Sequence, residues 1–143
     1  MRLRPLWIWE KEEEQFYKSK CIGTVVHVCC GRSTFGDLRI DKYEKTADML
    51  ADYRRLPIPD KSYDTALCDP YWGKKEQVDL GLSWLHELRR VARKRIIIVH
   101  NTLFTIKGCK LVEAWAVNTK GIFWKVMAIY DIMPNIDQFI GGD

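Results

Sequence analysis

The sequence predicts a single α/β domain, with a mostly parallel sheet closed by an antiparallel hairpin at its C-terminal end. Three observations carry that reading. Residues 64–68, 78–94 and 96–99 run as strand, helix and strand, the order of a βαβ unit. The run Thr24-Val25-Val26-His27-Val28-Cys29-Cys30 is β-rich without alternation, as in a strand buried on both faces, and Gly31 closes it. Near the C-terminus, strand-like stretches at 110–117 and 122–131 flank Asn118-Thr119-Lys120-Gly121, a hairpin signal. The chain has 143 residues, 47% of them hydrophobic and 29% charged, enough apolar material for one sizeable core. Residues 1–143 are therefore read as one globular domain, without repeats or linkers.

The elements follow in order. Residues 7–19 are predicted to be helical, with Glu10 and Glu12 to Glu14 early and Lys18 and Lys20 late, as the helix dipole favours. Trp9, Phe16 and Tyr17 form its buried side, and Gly23 ends it. After the first strand and Gly31-Arg32-Ser33-Thr34-Phe35-Gly36 come two short strand candidates, 37–40 ending at Asp41 and 47–51 ending at Asp52. Pro57 and Pro59 set a turn region over 56–63. It leads into strand 64–68 and then Asp69-Pro70-Tyr71-Trp72. The helix over 78–94 rests on Val78, Leu82, Leu85, Leu88, Val91 and Ala92, spaced mostly at three- and four-residue steps. The tail at 135–143 is read as loose. The first three strands lie closer in sequence than the dozen or so residues a parallel crossover usually needs. Some crossover helices are therefore expected to be missing, with tight loops in their place, unless those strands are not parallel.

Composition excludes several classes. The net charge of +4 is compatible with a nucleic-acid partner without requiring one. Much of it sits in Arg89, Arg90, Arg93, Lys94 and Arg95, which a solvated helix end explains. That run and the loop Gly73-Lys74-Lys75-Glu76-Gln77 are also candidates for phosphate contact. The five cysteines are odd in number and contain no C-x-x-C pair, so buried reduced thiols are the simplest account. Their spacing, with only three histidines, argues against a metal site. No apolar stretch reaches the roughly 20 residues that span a bilayer. The N-terminus lacks a signal peptide's apolar core. The expectation is a cytoplasmic protein with no membrane partner.

The candidate functional residues stand at the ends of strands. In an open α/β sheet, ligands bind beyond the carboxyl ends of the strands. Here those ends carry Gly31 with Ser33, then Asp41, Asp52 and Asp69. A glycine admits close backbone approach. An acid after the second strand can bind two ribose hydroxyls, and one after the third can accept from an adenine amino group. There is neither a G-x-G-x-x-G nor a G-x-x-x-x-G-K-[ST] sequence, so a nucleoside without a pyrophosphate fits the pattern better. Asp69-Pro70-Tyr71-Trp72 forms a ledge on which a flat group can stack. His27 reads as a core histidine, Cys29, Cys30 and Cys68 as small core residues beside the pocket, and His100 as a residue near its rim.

On these residues the chain resembles the class I S-adenosylmethionine-dependent methyltransferases, and among them the amino-methyltransferases of adenine N6 and cytosine N4. The resemblance runs from about 25 to 99, with the closing hairpin also in place. The run from Val26 to Ser33 is similar to the family's first motif, with His27 where an acid is usual and Ser33 where a second glycine is usual. Asp69-Pro70-Tyr71-Trp72 resembles the catalytic [D/N/S]-P-P-[Y/F/W] motif, with Tyr71 in place of proline. The resemblance implies a minimal Rossmann-like sheet and S-adenosyl-L-methionine as cofactor. It implies cofactor contacts from His27, Cys29, Gly31, Ser33, Asp41, Asp52, Tyr53 and Asp69, and a catalytic ledge of Asp69, Pro70, Tyr71 and Trp72. Asp69 would orient the target amine and an aromatic would stack on the base. The implied partner is nucleic acid, DNA ahead of RNA, with a homodimer or a separate specificity subunit supplying what so short a chain lacks. Two alternatives stand beside it: a small-molecule or protein amine as acceptor, or a non-catalytic subunit that binds the cofactor or nucleic acid.

Overall fold

The computed structural model describes residues 11–70, 82–118 and 124–134. Two helices and seven strands are found there: α1 (Lys11–Lys20), β1 (Val25–Val28), β2 (Leu38–Asp41), β3 (Met49–Leu50), β4 (Tyr63–Cys68), α2 (Ser83–Val91), β5 (Ala92–His100), β6 (Cys109–Asn118) and β7 (Trp124–Ile132). They build one seven-stranded sheet in the order β3-β2-β1-β4-β5-β7-β6. Every pairing from β3 to β5 is parallel. Only β7 is reversed, lying antiparallel between β5 and β6. The predicted fold class and hairpin are present.

Alternation along each central strand splits the core into two layers. Val25, Leu67, Ile97, Val99, Met127 and Ile129 pack on one side with Tyr17 of α1. Val26, Val28, Ala66, Cys68, Ile96, Ile98, Ala128 and Tyr130 pack on the other with Trp84, Leu85, Leu88 and Val91 of α2. Both faces of β1 are therefore covered and all four of its residues are buried, which is why its sequence does not alternate.

The expected loss of crossover helices is real. Residues 29–37, 42–48 and 51–62 connect parallel strands without a helix. The geometry permits it because the strands are short. A four-residue strand needs a return of only about 13 Å, and a connection the length of 29–37 can reach roughly 30 Å when extended. Asp37 closes the first connection at the foot of β1: its amide donates to Val25 O at 2.8 Å and its carboxylate accepts from Val25 N at 2.7 Å.

One predicted boundary is corrected. The helix expected to reach Lys94 ends at Val91, and the C-cap Ala92 is already extended, with φ −89° and ψ 137°. Ala92 is fully buried and so continued the apolar spacing, but it does so as the first residue of β5. Val78 at the other end of that prediction lies outside the described residues, as do Trp9 and the tail at 135–143.

Candidate active site

Because β3, β2, β1 and β4 are parallel neighbours, the residues that follow them share one edge of the sheet. That edge gathers Cys29, Gly31, Ser33, Asp41, Asp52, Tyr53, Asp69 and Pro70. Tyr71 and Trp72, and the loop 73–77, lie outside the described residues.

The first loop leaves β1 in an unusual conformation. Cys29 has φ 56° and Gly31 φ 53°, both left-handed. Glycine adopts this without cost, whereas a cysteine held there is strained. Asp41, the last residue of β2, braces the loop. Its Oδ2 accepts from Gly31 N at 3.0 Å, while Oδ1 accepts from Tyr43 N and Glu44 N, both at 2.9 Å. A carboxylate has about four acceptor positions, so these three bonds leave it able to accept one more. The β3 loop is tied to the same residue, with Ala51 N donating to Asp41 O at 3.0 Å.

Asp52 sits beside it, clamped by Arg54 through Nε to Oδ1 at 3.0 Å and Nη2 to Oδ2 at 2.7 Å, with Lys42 Nζ at 3.4 Å. The guanidinium holds its carboxyl well below the usual range. Tyr53 turns inward, its ring 5.6 Å from that of Trp84.

His27 and Ser33 are turned into the packing beneath the edge. His27 is fully buried, with Nδ1 2.8 Å from Phe35 O. A carbonyl only accepts, so Nδ1 carries the proton. Burial lowers its pKa to about 4, so the ring is neutral and serves to hold the helix-free connection against β1. Ser33 Oγ accepts from Phe35 N at 3.1 Å and donates to Glu14 Oε2 at 3.3 Å.

Asp69 is 2% exposed. Its Oδ2 lies 3.8 Å from Lys125 Nζ of β7. The Cys68 side chain, just before it, and desolvation push the Cys29 thiol well above its ordinary value. A thiol so disfavoured as thiolate is a poor nucleophile.

Sequence reasoning missed two groupings. On the α2 side Tyr53, Trp84, Phe104 and His100 form a ring cluster, with Trp84 stacked on His100 at 6.0 Å and Phe104 4.7 Å from His100. His100 Nδ1 accepts from Thr102 N at 2.9 Å, and burial lowers its pKa to about 4. On the α1 side, Glu13 is fully buried and accepts from Tyr17 Oη at 2.5 Å. The spacing of Glu13 and Tyr17 by four residues was visible, but Glu13 read only as one of several dipole-favoured acids.

The arginine run lies elsewhere. It enters β5 at its amino end, away from this edge. Arg90 donates to Asp60 Oδ1, Ile58 O and Leu56 O, each at 2.8 Å. Arg93 donates to Asp64 Oδ1 at 3.0 Å and Lys61 O at 2.9 Å, and Arg95 to Asp131 Oδ1 at 2.8 Å and Lys20 O at 2.9 Å. Arg90, Arg93 and Arg95 are thus clamps between elements, while Arg89 and Lys94 are exposed as expected of a solvated end, and the run lies away from the edge that carries Asp69.

No protein-family model matches the chain, and no curated protein matches its sequence. Solved structures do. A SAM-dependent methyltransferase from Aquifex aeolicus superposes with a TM-score of 0.54 at 14% identity, over 84% of this chain and 89% of that one. Magnesium protoporphyrin IX methyltransferase from Synechocystis PCC 6803, with bound SAM, gives 0.52 at 12% identity, over 76% and 69%. The chain has the methyltransferase fold. A possible histamine N-methyltransferase of Thermotoga maritima gives 0.49 at 21% identity over 61% of this chain, which spans 49% of that longer one. In this chain the sheet carries one reversed strand, β7, and the connections between β1 and β4 hold no helix. Among the described residues no helix is long and apolar enough to cross a membrane.

Proposed function

We propose that the protein is an enzyme that binds S-adenosyl-L-methionine across the carboxyl edge of the sheet and directs its methyl group to an exocyclic amine of a nucleobase. Adenine N6 or cytosine N4 in DNA is the acceptor that the ledge motif favours. The observation that carries this reading is the meeting of Gly31, Asp41, Asp52 and Asp69 on one edge of a methyltransferase-type sheet.

The residues fit such a cofactor. Asp41 offers a carboxylate beside the Gly31 amide, suited to ribose hydroxyls. Asp52 and Tyr53 follow on the neighbouring loop, suited to the adenine ring. When bound, the cofactor supplies a methyl on a positively charged sulfur, which departs as a neutral thioether. Asp69 accepts a hydrogen bond from the amine N–H, aims the nitrogen lone pair at the methyl, and takes the proton the nitrogen loses. Burial of Asp69 keeps water from competing for it. Proximity and alignment supply most of the acceleration in such an in-line transfer. A base within a duplex cannot reach this edge, so the substrate is single-stranded or flipped.

Isothermal titration with S-adenosylmethionine and its demethylated product tests the first step. Asp41→Asn, which keeps one acceptor oxygen, is expected to weaken binding about 10- to 100-fold, the worth of a charge-assisted hydrogen bond. A labelled-methyl screen over single-stranded DNA, RNA and free nucleosides tests the second. Failure of the wild-type chain to bind either compound would overturn the reading.

A further inference from the structure

Asp69 and Lys125 stand on the same face of the sheet although β5 separates their strands. Leu67 and Met127 both belong to the α1-side layer, and Asp69 and Lys125 each lie two residues from them. Strands two places apart are roughly 10 Å distant, so the Lys125 stem spans the width of β5 to bring Nζ within 3.8 Å of Asp69 Oδ2. The lysine side chain is 21% exposed and that of Asp69 only 3%.

Desolvation drives a carboxyl buried this deeply toward its protonated form unless cations or hydrogen-bond donors oppose it, and a cation close by is one such opposing group. The other described groups around it do not supply one. From α1 comes Tyr17, bonded to Glu13, its phenol raised by burial and by the charges of Glu13 and Asp69. From the end of β1 comes the Cys29 thiol, which also feels Asp69, and from β4 itself Cys68. Each of these is neutral or acidic. Lys125 is the cation that the described residues place against Asp69.

We propose that Lys125 is a positioning residue whose ammonium holds Asp69 as a carboxylate in a fixed orientation at the end of β4. This rests on the reading of Asp69 as the acceptor of the target amine's N–H. A protonated Asp69 would donate where the transfer needs an acceptor, so a residue on the closing hairpin sets the charge state of the ledge.

The test is a carboxyl 13C NMR titration of Asp69 in the wild type, Lys125→Met and Lys125→Arg, paired with rate against pH. Removing the cation is expected to raise the Asp69 midpoint by about 1 or more. The acid limb of methyl transfer should move upward with it, while Lys125→Arg restores both. Lys125→Gln, which also removes the charge but keeps a polar tip, carries the same measurement if Lys125→Met fails to fold. An unchanged Asp69 titration in a folded charge-removing variant overturns the proposal. So does an unmoved acid limb despite a shifted Asp69 midpoint. A shifted Asp69 midpoint in a protein whose wild type methylates no amine would instead overturn the methyl-transfer reading and leave the control of Asp69's charge in place.

Discussion

His27 shows how one residue couples the site to pH. Its folded pKa of about 4 lies below the ordinary value near 6.5. The unfolded chain therefore takes up the proton first, and protonation favours unfolding. The associated stability is complete above about pH 6.5 and is lost as pH falls toward 4, by about 3 kcal/mol for this group. His100, lowered to about 4 by burial, acts in the same direction. Urea unfolding of His27→Gln at pH 7 and pH 4.5 is expected to show a smaller difference than the wild type. Asp69 is the other residue whose change should be felt at once. Asp69→Ala is expected to cut methyl transfer by about 100-fold or more, the cost of a misaligned acceptor. Transfer assays at saturating S-adenosylmethionine check it.

At the scale of elements, the helix-free connection 29–37 is the part most exposed to small changes. Gly36 has φ +125°, and a Cβ there would lie 2.9 Å from His27 Cβ. Gly36→Ala is therefore expected to cost about 1–3 kcal/mol in chemical denaturation. Leu88→Ala, at a fully buried position of α2, should cost about 2–5 kcal/mol. The strands were legible because Val25 to Val28 and Ile96 to Val99 are apolar runs bounded by charge or glycine, and the acids at strand ends followed from that. The end of α2 was not, because Ala92 satisfies both a helix period and a buried strand start. Lys125 escaped notice because it meets Asp69 only through the sheet order, with β7 inserted beside β5. The ring cluster of Tyr53, Trp84, Phe104 and His100 escaped for the same reason, being drawn from loops and elements far apart in sequence.

At the scale of the molecule, charge is divided between the two ends of the sheet. At the carboxyl edge Arg32, Lys42, Lys45, Arg54 and Arg55 are exposed on the loops around the site. At the amino edge the arginines are spent on carboxylates and backbone carbonyls. For a nucleic-acid acceptor, anisotropy with a single-stranded oligonucleotide should show affinity falling steeply with salt. Lys45→Glu combined with Arg55→Glu should weaken binding and flatten that slope by about 1 or more. Arg93→Glu should lower the melting temperature and leave the slope nearly as it was. A flat dependence in the wild type would move the acceptor toward an uncharged small amine.

The missing crossover helices also bear on how the chain finds its structure. Parallel sheets fold slowly when long segments must be closed before strands meet, because loop-closure entropy is lost before any pairing compensates. Here the β1–β2 and β2–β3 pairs close only residues 29–37 and 42–48, and β6 and β7 close as a local hairpin. Both wings of the sheet can therefore assemble from near neighbours. The longest closure is the junction of β1 with β4, which joins Val25–Val28 to partners about 40 positions away and is expected to form late. Substitutions along that seam should slow refolding, whereas those in either wing should mainly hasten unfolding.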